Sequence, residues 1–133
     1  MAVIARSALF LICAIAWGQT PADVIQFLRG TASDLANAHD STAHNFLNRF
    51  DRDMPHYVEL SNAVEAMAAR WEAGSAIEIV KDAGDGTRRV MELDWVLEVE
   101  DHAPRRQIVK CTIEKRGKSW KFTLFDPVDL FKN

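Results

Sequence analysis

Cysteine is scarce in this chain of 133 residues: there are two, Cys13 and Cys111. Charge of one sign is not in excess, since 16 basic side chains face 19 acidic ones for a net charge of −3. That balance carries no electrostatic footprint for nucleic acid or for an anionic membrane surface. No apolar run reaches the roughly twenty residues that span a bilayer. The longest, Ser7–Trp17 (SALFLICAIAW), is ended by Gln19, Thr20 and Pro21. There is one tyrosine, Tyr57, and there are no repeats, low-complexity tracts, glycosylation sequon or serine-hydrolase elbow.

What is present at the N-terminus reads as a secretory signal peptide, residues 1–18. Arg6 supplies the basic end, Ser7–Trp17 the short apolar core, and Ala16 and Gly18 the small residues before the cut. Cys13 sits behind the bulky Leu11 and Ile12, where a lipoprotein signal needs small residues. Cleavage removes Arg6 and leaves a net charge of −4 on residues 19–133. Cys111 is then the one remaining cysteine, so no intramolecular disulfide can form. About 115 residues suffice for one hydrophobic core, so a single exported domain, periplasmic or secreted, is expected.

Helical spacing dominates up to Gly74. Thr20-Pro21-Ala22-Asp23 reads as a capped start, followed by Val24, Leu28, Ala32 and Leu35 on one face as far as His39. Asp40 or Ser41 would cap a short second helix burying Ala43, Phe46, Leu47 and Phe50. After the charged turn 51–55, a third helix runs from Tyr57 to Ala73. It buries Leu60, Val64, Met67 and Trp71 and is stopped by Gly74.

Beyond Gly74 the period is two. A short strand holds Ile77 and Ile79, and the glycine-containing loop 82–87 reads as a hairpin connection rather than a phosphate cradle. Three further strands alternate Met91/Leu93/Trp95/Leu97, Val109/Cys111/Ile113 and Trp120/Phe122/Leu124 against polar neighbours. A turn centred on His102 pairs Trp95 with Val109, Leu93 with Cys111 and Met91 with Ile113. On the other face it sets Asp94 by Lys110, Glu98 by Arg106 and Val96 by Ile108. A turn at Arg116-Gly117 pairs Ile113 with Trp120, Cys111 with Phe122, Val109 with Leu124 and Ile108 with Phe125. The fold class is therefore α+β. Three N-terminal helices pack on the concave face of a curved, mainly antiparallel four-stranded sheet.

This order of elements resembles the nuclear transport factor 2-like superfamily, also called SnoaL-like or cystatin-like cones, as found in small exported bacterial proteins. The local echoes are Phe46-Leu47-Asn48-Arg49-Phe50-Asp51 and the closing strand Trp120–Pro127. The resemblance implies a helix-lined cone, which some members use as an active site, as in ketosteroid isomerases and scytalone dehydratase, and others only for binding or scaffolding. Tyr57, Trp71, Trp95, Cys111, Trp120 and Phe122 are the candidate cone-lining residues, suited to a small apolar ligand.

No catalytic constellation is legible. The concave positions hold neither carboxylate nor histidine, and Glu92, Asp94 and Glu98 alternate onto the wet face. His39-Asp40…His44 lacks metal-ligand spacing, His56 and His102 fall in turns, and Cys111 has only apolar expected neighbours. No cofactor or metal is expected. The expected function is a non-catalytic binding or interaction domain. The alternatives are a small-molecule isomerase or dehydratase working in the cone, and an accessory domain assembling with a partner protein. Val96, Ile108 and Phe125 would form an apolar row across three strands of the wet face, a candidate contact for a two-fold homodimer unless the C-terminal tail covers it. Intact-mass analysis of the exported protein should find Gln19 as its first residue; retention of Met1–Gly18 in a membrane fraction would refute the signal-peptide reading.

Overall fold

A computed structural model of the chain describes residues 20–40 and 43–132. The segment 1–18 read as a signal peptide lies outside the described residues, as does Ser41.

Helix α1 spans Ala22–Asn37. No side chain caps it: the Pro21 carbonyl accepts from the amides of Val24 and Ile25. The expected capping residues are used by the sheet instead. Thr20 donates its hydroxyl to Asp82 (2.7 Å), and Asp23 accepts from Lys115 (2.8 Å) and from the Trp120 indole (3.0 Å). The buried stripe is Val24, Phe27, Leu28, Thr31 and Leu35, with Ala32 only partly covered. Thr31 can sit inside because its hydroxyl donates to the Phe27 carbonyl. Helix α2 is a single turn, His44–Leu47, also without a side-chain cap; Asp40 lies in the turn that ends α1. Its exit runs along the edge of the sheet, where the Asp51 amide donates to the Phe122 carbonyl and the Phe122 amide to that of Arg49, both at 2.8 Å. Helix α3, Tyr57–Arg70, buries Leu60, Val64 and Met67. It ends earlier than expected because Trp71 is already extended, and Gly74 lies within the first strand rather than stopping the helix.

Four strands follow in sequential antiparallel order: β1 Ala73–Gly84, β2 Arg88–Val99, β3 Arg105–Arg116 and β4 Ser119–Asp126. β1 is longer than the sequence suggests and carries an irregularity at Val80. Beyond it Asp82, expected in a loop, turns inward. The β1–β2 connection is a hairpin held by Asp85, whose carboxylate accepts from the amides of Thr87 (2.8 Å) and Arg88 (2.9 Å).

The inward alternation of β2 and β3 is as expected: Met91, Leu93, Trp95, Leu97, Val109, Cys111 and Ile113 are all buried. The pairing differs by two residues. Met91 faces Cys111, Leu93 faces Val109 and Trp95 faces Gln107, because the loop turns about Asp101, at φ 66°, and not about His102. Moving a turn centre by one residue moves every pair by two, which preserves faces and changes partners. Asp94 therefore lies opposite Ile108, and its carboxylate takes the guanidinium of Arg106 at 2.9 Å rather than Lys110.

The β3–β4 turn is likewise displaced, to Gly117-Lys118, with Arg116 opposite Ser119 and Ile113 opposite Phe122. A bulge then leaves Thr123 unpaired, so Thr112 faces Leu124, Cys111 faces Phe125 and Lys110 faces Asp126. The extra residue inverts the end of the strand. Leu124, expected inside, is 41 % exposed; Phe125, expected on the wet face, is 1 % exposed. The row of Val96, Ile108 and Phe125 does not form, since Val96 sits opposite Arg106, Ile108 opposite Asp94, and Phe125 in the core.

Two glycines separate strain from crowding. A Cβ on Gly84 (φ 151°) would lie 2.2 Å from the Arg88 carbonyl oxygen, whereas one on Gly117 (φ 65°) meets nothing. Gly84→Ala should destabilise by about 3 kcal/mol, and Gly117→Ala by only about 1 kcal/mol, in chemical denaturation. Equal effects would refute this reading of the β1–β2 hairpin.

Candidate functional site: a filled cone and a polar cleft

The sheet curves around the helices as expected, and its concave face carries Trp95, Phe122 and Phe125. Helix α1 adds Phe27, and α2 with its exit adds Phe46 and Phe50. Phe50 stacks on Phe122 at 4.7 Å between centroids, Phe27 meets Phe122 at 5.0 Å, and Phe46 meets Phe50 at 5.1 Å. Phe125 closes against Phe50 at 5.4 Å and Phe122 at 5.5 Å. Such tilted and offset pairs each add about 0.5–1.5 kcal/mol beyond the burial of their surface.

The chain then fills the remaining space with its own end. After Pro127 a 3₁₀ turn, Val128–Phe131, buries Val128, Leu130 and Phe131. Phe131 lies 5.7 Å from both Trp95 and Phe46 and stacks on Phe125 at 5.8 Å. The tail thus folds onto the inner side of the sheet, not over the outer face. Arg105 holds it by donating to the carbonyls of Leu130 (2.8 Å) and Lys132. The Lys132 ammonium pairs with Glu59 on α3 and lies 3.2 Å from Asp129. These partners draw the Glu59 carboxyl below its ordinary value and raise Lys132.

Among the described residues, the six candidate cone-lining residues fall in different environments. Trp95, Cys111 and Phe122 are packed in the core, and the Trp95 N–H donates to Ser75 at 3.1 Å. Trp120 is buried at the strand edge, where its N–H reaches Asp23. Trp71 is half-buried outside the cone, edge-on to the His102 ring at 4.9 Å. Tyr57 lines a different concavity.

That concavity is a cleft of about 250 Å³ between α2 and α3. Ala43 and Leu47 are its apolar part, and His44, Asn48, Arg52, Tyr57, Ser61 and Glu65 supply its polar groups. It offers both charges and several hydroxyl and amide groups to a small polar ligand, and of its residues only Tyr57 is a candidate ligand contact on sequence grounds. They lie on two helices separated by a turn, so no spacing in the sequence announces them.

Among the described residues, one ion pair is buried at both ends, and the sequence did not reveal it. Arg89 donates twice to Asp82 (2.9 and 3.1 Å) and once to the Asp85 carbonyl (2.8 Å), and Asp82 also accepts from Thr20. With these partners satisfied, the pair is a strut between the β1–β2 hairpin and the start of α1. Among the described residues, no group of three or more histidines, cysteines, aspartates or glutamates could hold a metal. His39 donates from Nδ1 to the Ala68 carbonyl at 2.8 Å, His102 to that of Glu100 at 2.9 Å, and His56 lies 3.3 Å from Glu59.

No family profile matches the chain, and no curated protein matches it. Solved structures do share its fold. A Bdellovibrio bacteriovorus structure superposes with a TM-score of 0.62 at 11 % identity over 78 % of this chain. The chain spans 39 % of that structure's length. A Nostoc punctiforme protein of unknown function with a cystatin-like fold gives 0.57 at 15 % identity, over 81 % of this chain and 92 % of that one. A putative calcium/calmodulin-dependent protein kinase type II association domain from Thiobacillus denitrificans gives 0.52 at 13 % identity, over 77 % and 88 %. The protein has an α+β cone fold similar to the cystatin-like fold of that Nostoc protein.

Burial pushes the Cys111 thiol up from 9.0 to about 12, with the nearby Asp82 charge adding to the effect. Native Cys111 should therefore resist thiol reagents at pH 8 and label only on unfolding; rapid native labelling would overturn this. The unfolded thiol loses its proton first as pH rises, so this group lowers stability progressively from about pH 9 towards 12 and has no effect below that range.

Proposed function

We propose that this chain is an exported, non-catalytic binding or interaction domain in which the cone serves as a structural core. The observation that carries the reading is the occupation of the cone by Phe46, Phe50, Phe122, Phe125, Trp95 and, from the C-terminus, Phe131. An isomerase or dehydratase working there would need a water-accessible cavity with converging polar groups. In this reading Phe131 takes the place of the small apolar ligand expected from sequence, and recognition falls to the surface. The cleft between α2 and α3 and the outer sheet face are the surfaces left for it. A neighbour described as an association domain is in keeping with a non-catalytic use of the fold.

Phe131→Ala tests the reading directly. Removing the ring should lower stability by about 3–5 kcal/mol and leave an apolar cavity. Calorimetry should then detect benzene or indole binding to the variant and none to the wild type. Binding of either compound to the wild-type cone would overturn the proposal.

A further inference from the structure

Most of the polar side chains that line the cleft between α2 and α3 have no partner of their own. His44 is engaged within the protein. Among the described residues, Asn48, Arg52, Tyr57, Ser61 and Glu65 carry no side-chain hydrogen bond or ion pair. The two opposite charges are thus not joined to each other, although they share a concavity of about 250 Å³. Their places in the chain explain why. Tyr57, Ser61 and Glu65 recur every four residues and form one stripe along α3. At about 1.5 Å of rise per residue, Glu65 stands roughly 12 Å further along the axis than Tyr57. Arg52 belongs to the turn that leads into α3, at the Tyr57 end. The N-terminus of α3 adds its partial positive charge at that same end. Of the nearby acids, Asp51 pairs with Arg116 and Glu59 with Lys132, and Asp53 does not line the cleft.

We propose that the cleft binds a short, unblocked peptide, with its terminal carboxylate at Arg52 and its terminal ammonium at Glu65. An extended tripeptide spans roughly 10 Å, close to the length of the stripe. A free amino acid carries both charges on one carbon and cannot reach both ends. The Arg52 fork suits a carboxylate, which it can hold through two parallel hydrogen bonds. Between the ends, Asn48 offers both an acceptor and donors, and the hydroxyls of Tyr57 and Ser61 each donate and accept. That set matches the alternating N–H and C=O groups of a peptide. The Tyr57 ring rests against the core, which holds its hydroxyl in place. Ala43 and Leu47 give small side chains an apolar wall. A sugar would leave both charges unused, a simple anion would meet Glu65, and a simple cation would meet Arg52. Drug-sized pockets hold about 300–1,000 Å³, so this smaller cleft limits the occupant to a few small residues.

This rests on the surface-recognition reading and gives it a ligand class. The two fail separately. A cleft that binds no peptide leaves the filled cone intact, and benzene entering the wild-type cone leaves the chemistry of the cleft standing.

Calorimetric titration with trialanine, N-acetyl-trialanine and trialanine amide tests the proposal at neutral pH, where both termini of trialanine are charged. The wild-type protein should bind trialanine, and should bind each blocked form about tenfold more weakly, since each has lost one charge-assisted contact. Glu65→Gln should bind trialanine and its N-acetyl form alike while still preferring a free carboxylate. Arg52→Gln should bind trialanine and its amide alike while still preferring a free ammonium. Both positions are exposed, and thermal melts matching the wild type would confirm that the variants are folded. No binding of trialanine at millimolar concentration, equal affinity of the wild type for the blocked peptides, or variants that keep the preference they should lose would each overturn the inference.

Discussion

Because side chains alternate along a strand, the one unpaired residue at Thr123 turns over the last part of β4. Phe125 swings inward against Phe50, Phe122 and Phe131, and Leu124 swings outward beside Thr112. The inside and the outside of the protein are therefore set by the same irregularity. Without it, the cone would lose one of its central rings, and the outer face would hold a phenylalanine out of line with Val90.

The aromatic cluster needs its lids kept in place, and polar side chains do this from the periphery. Thr20 and Asp23 tie the start of α1 to β1, β3 and β4 through Asp82, Lys115 and Trp120. Arg49 reaches from the exit of α2 to Asp34 on α1 at 2.6 Å, with its guanidinium 5.5 Å above the Phe27 ring. Arg105 and the Glu59–Lys132 pair hold the terminal turn against β3 and α3. Exposed pairs of this kind are individually worth little, about 0–1 kcal/mol. Their role is geometric: each one joins two elements whose apolar faces meet at the phenylalanines.

A fold shared at 9–15 % identity says nothing about chemistry by itself. The side chains inside the cone say more. They are apolar and mutually packed, the thiol among them is protonated, and the buried Asp82–Arg89 pair is spent on holding a hairpin to a helix. The polar groups around Tyr57, by contrast, line an open cleft between α2 and α3.

Element types and most of the core were legible in the order of residues, because periods of 3.6 and 2 follow from helix and strand geometry alone. Val24, Leu28, Phe46, Leu60, Val64, Met91, Leu93 and Val109 are buried for that reason. The absence of carboxylates and histidines from the concave positions of β2 and β3 was legible in the same way. Turn centres at Asp101 and Gly117, and the bulge at Thr123, were not. Each shifts a register by a residue or two, and several local sequences satisfy the same alternation. Thr20 and Asp23 do not cap α1 because they have partners more than sixty residues away, which no local pattern contains. The tail's apolar residues were visible in the sequence. Only the tertiary structure decided which side of the sheet they cover, since the space that admits Phe131 exists only once Phe46, Trp95 and Phe125 have come together.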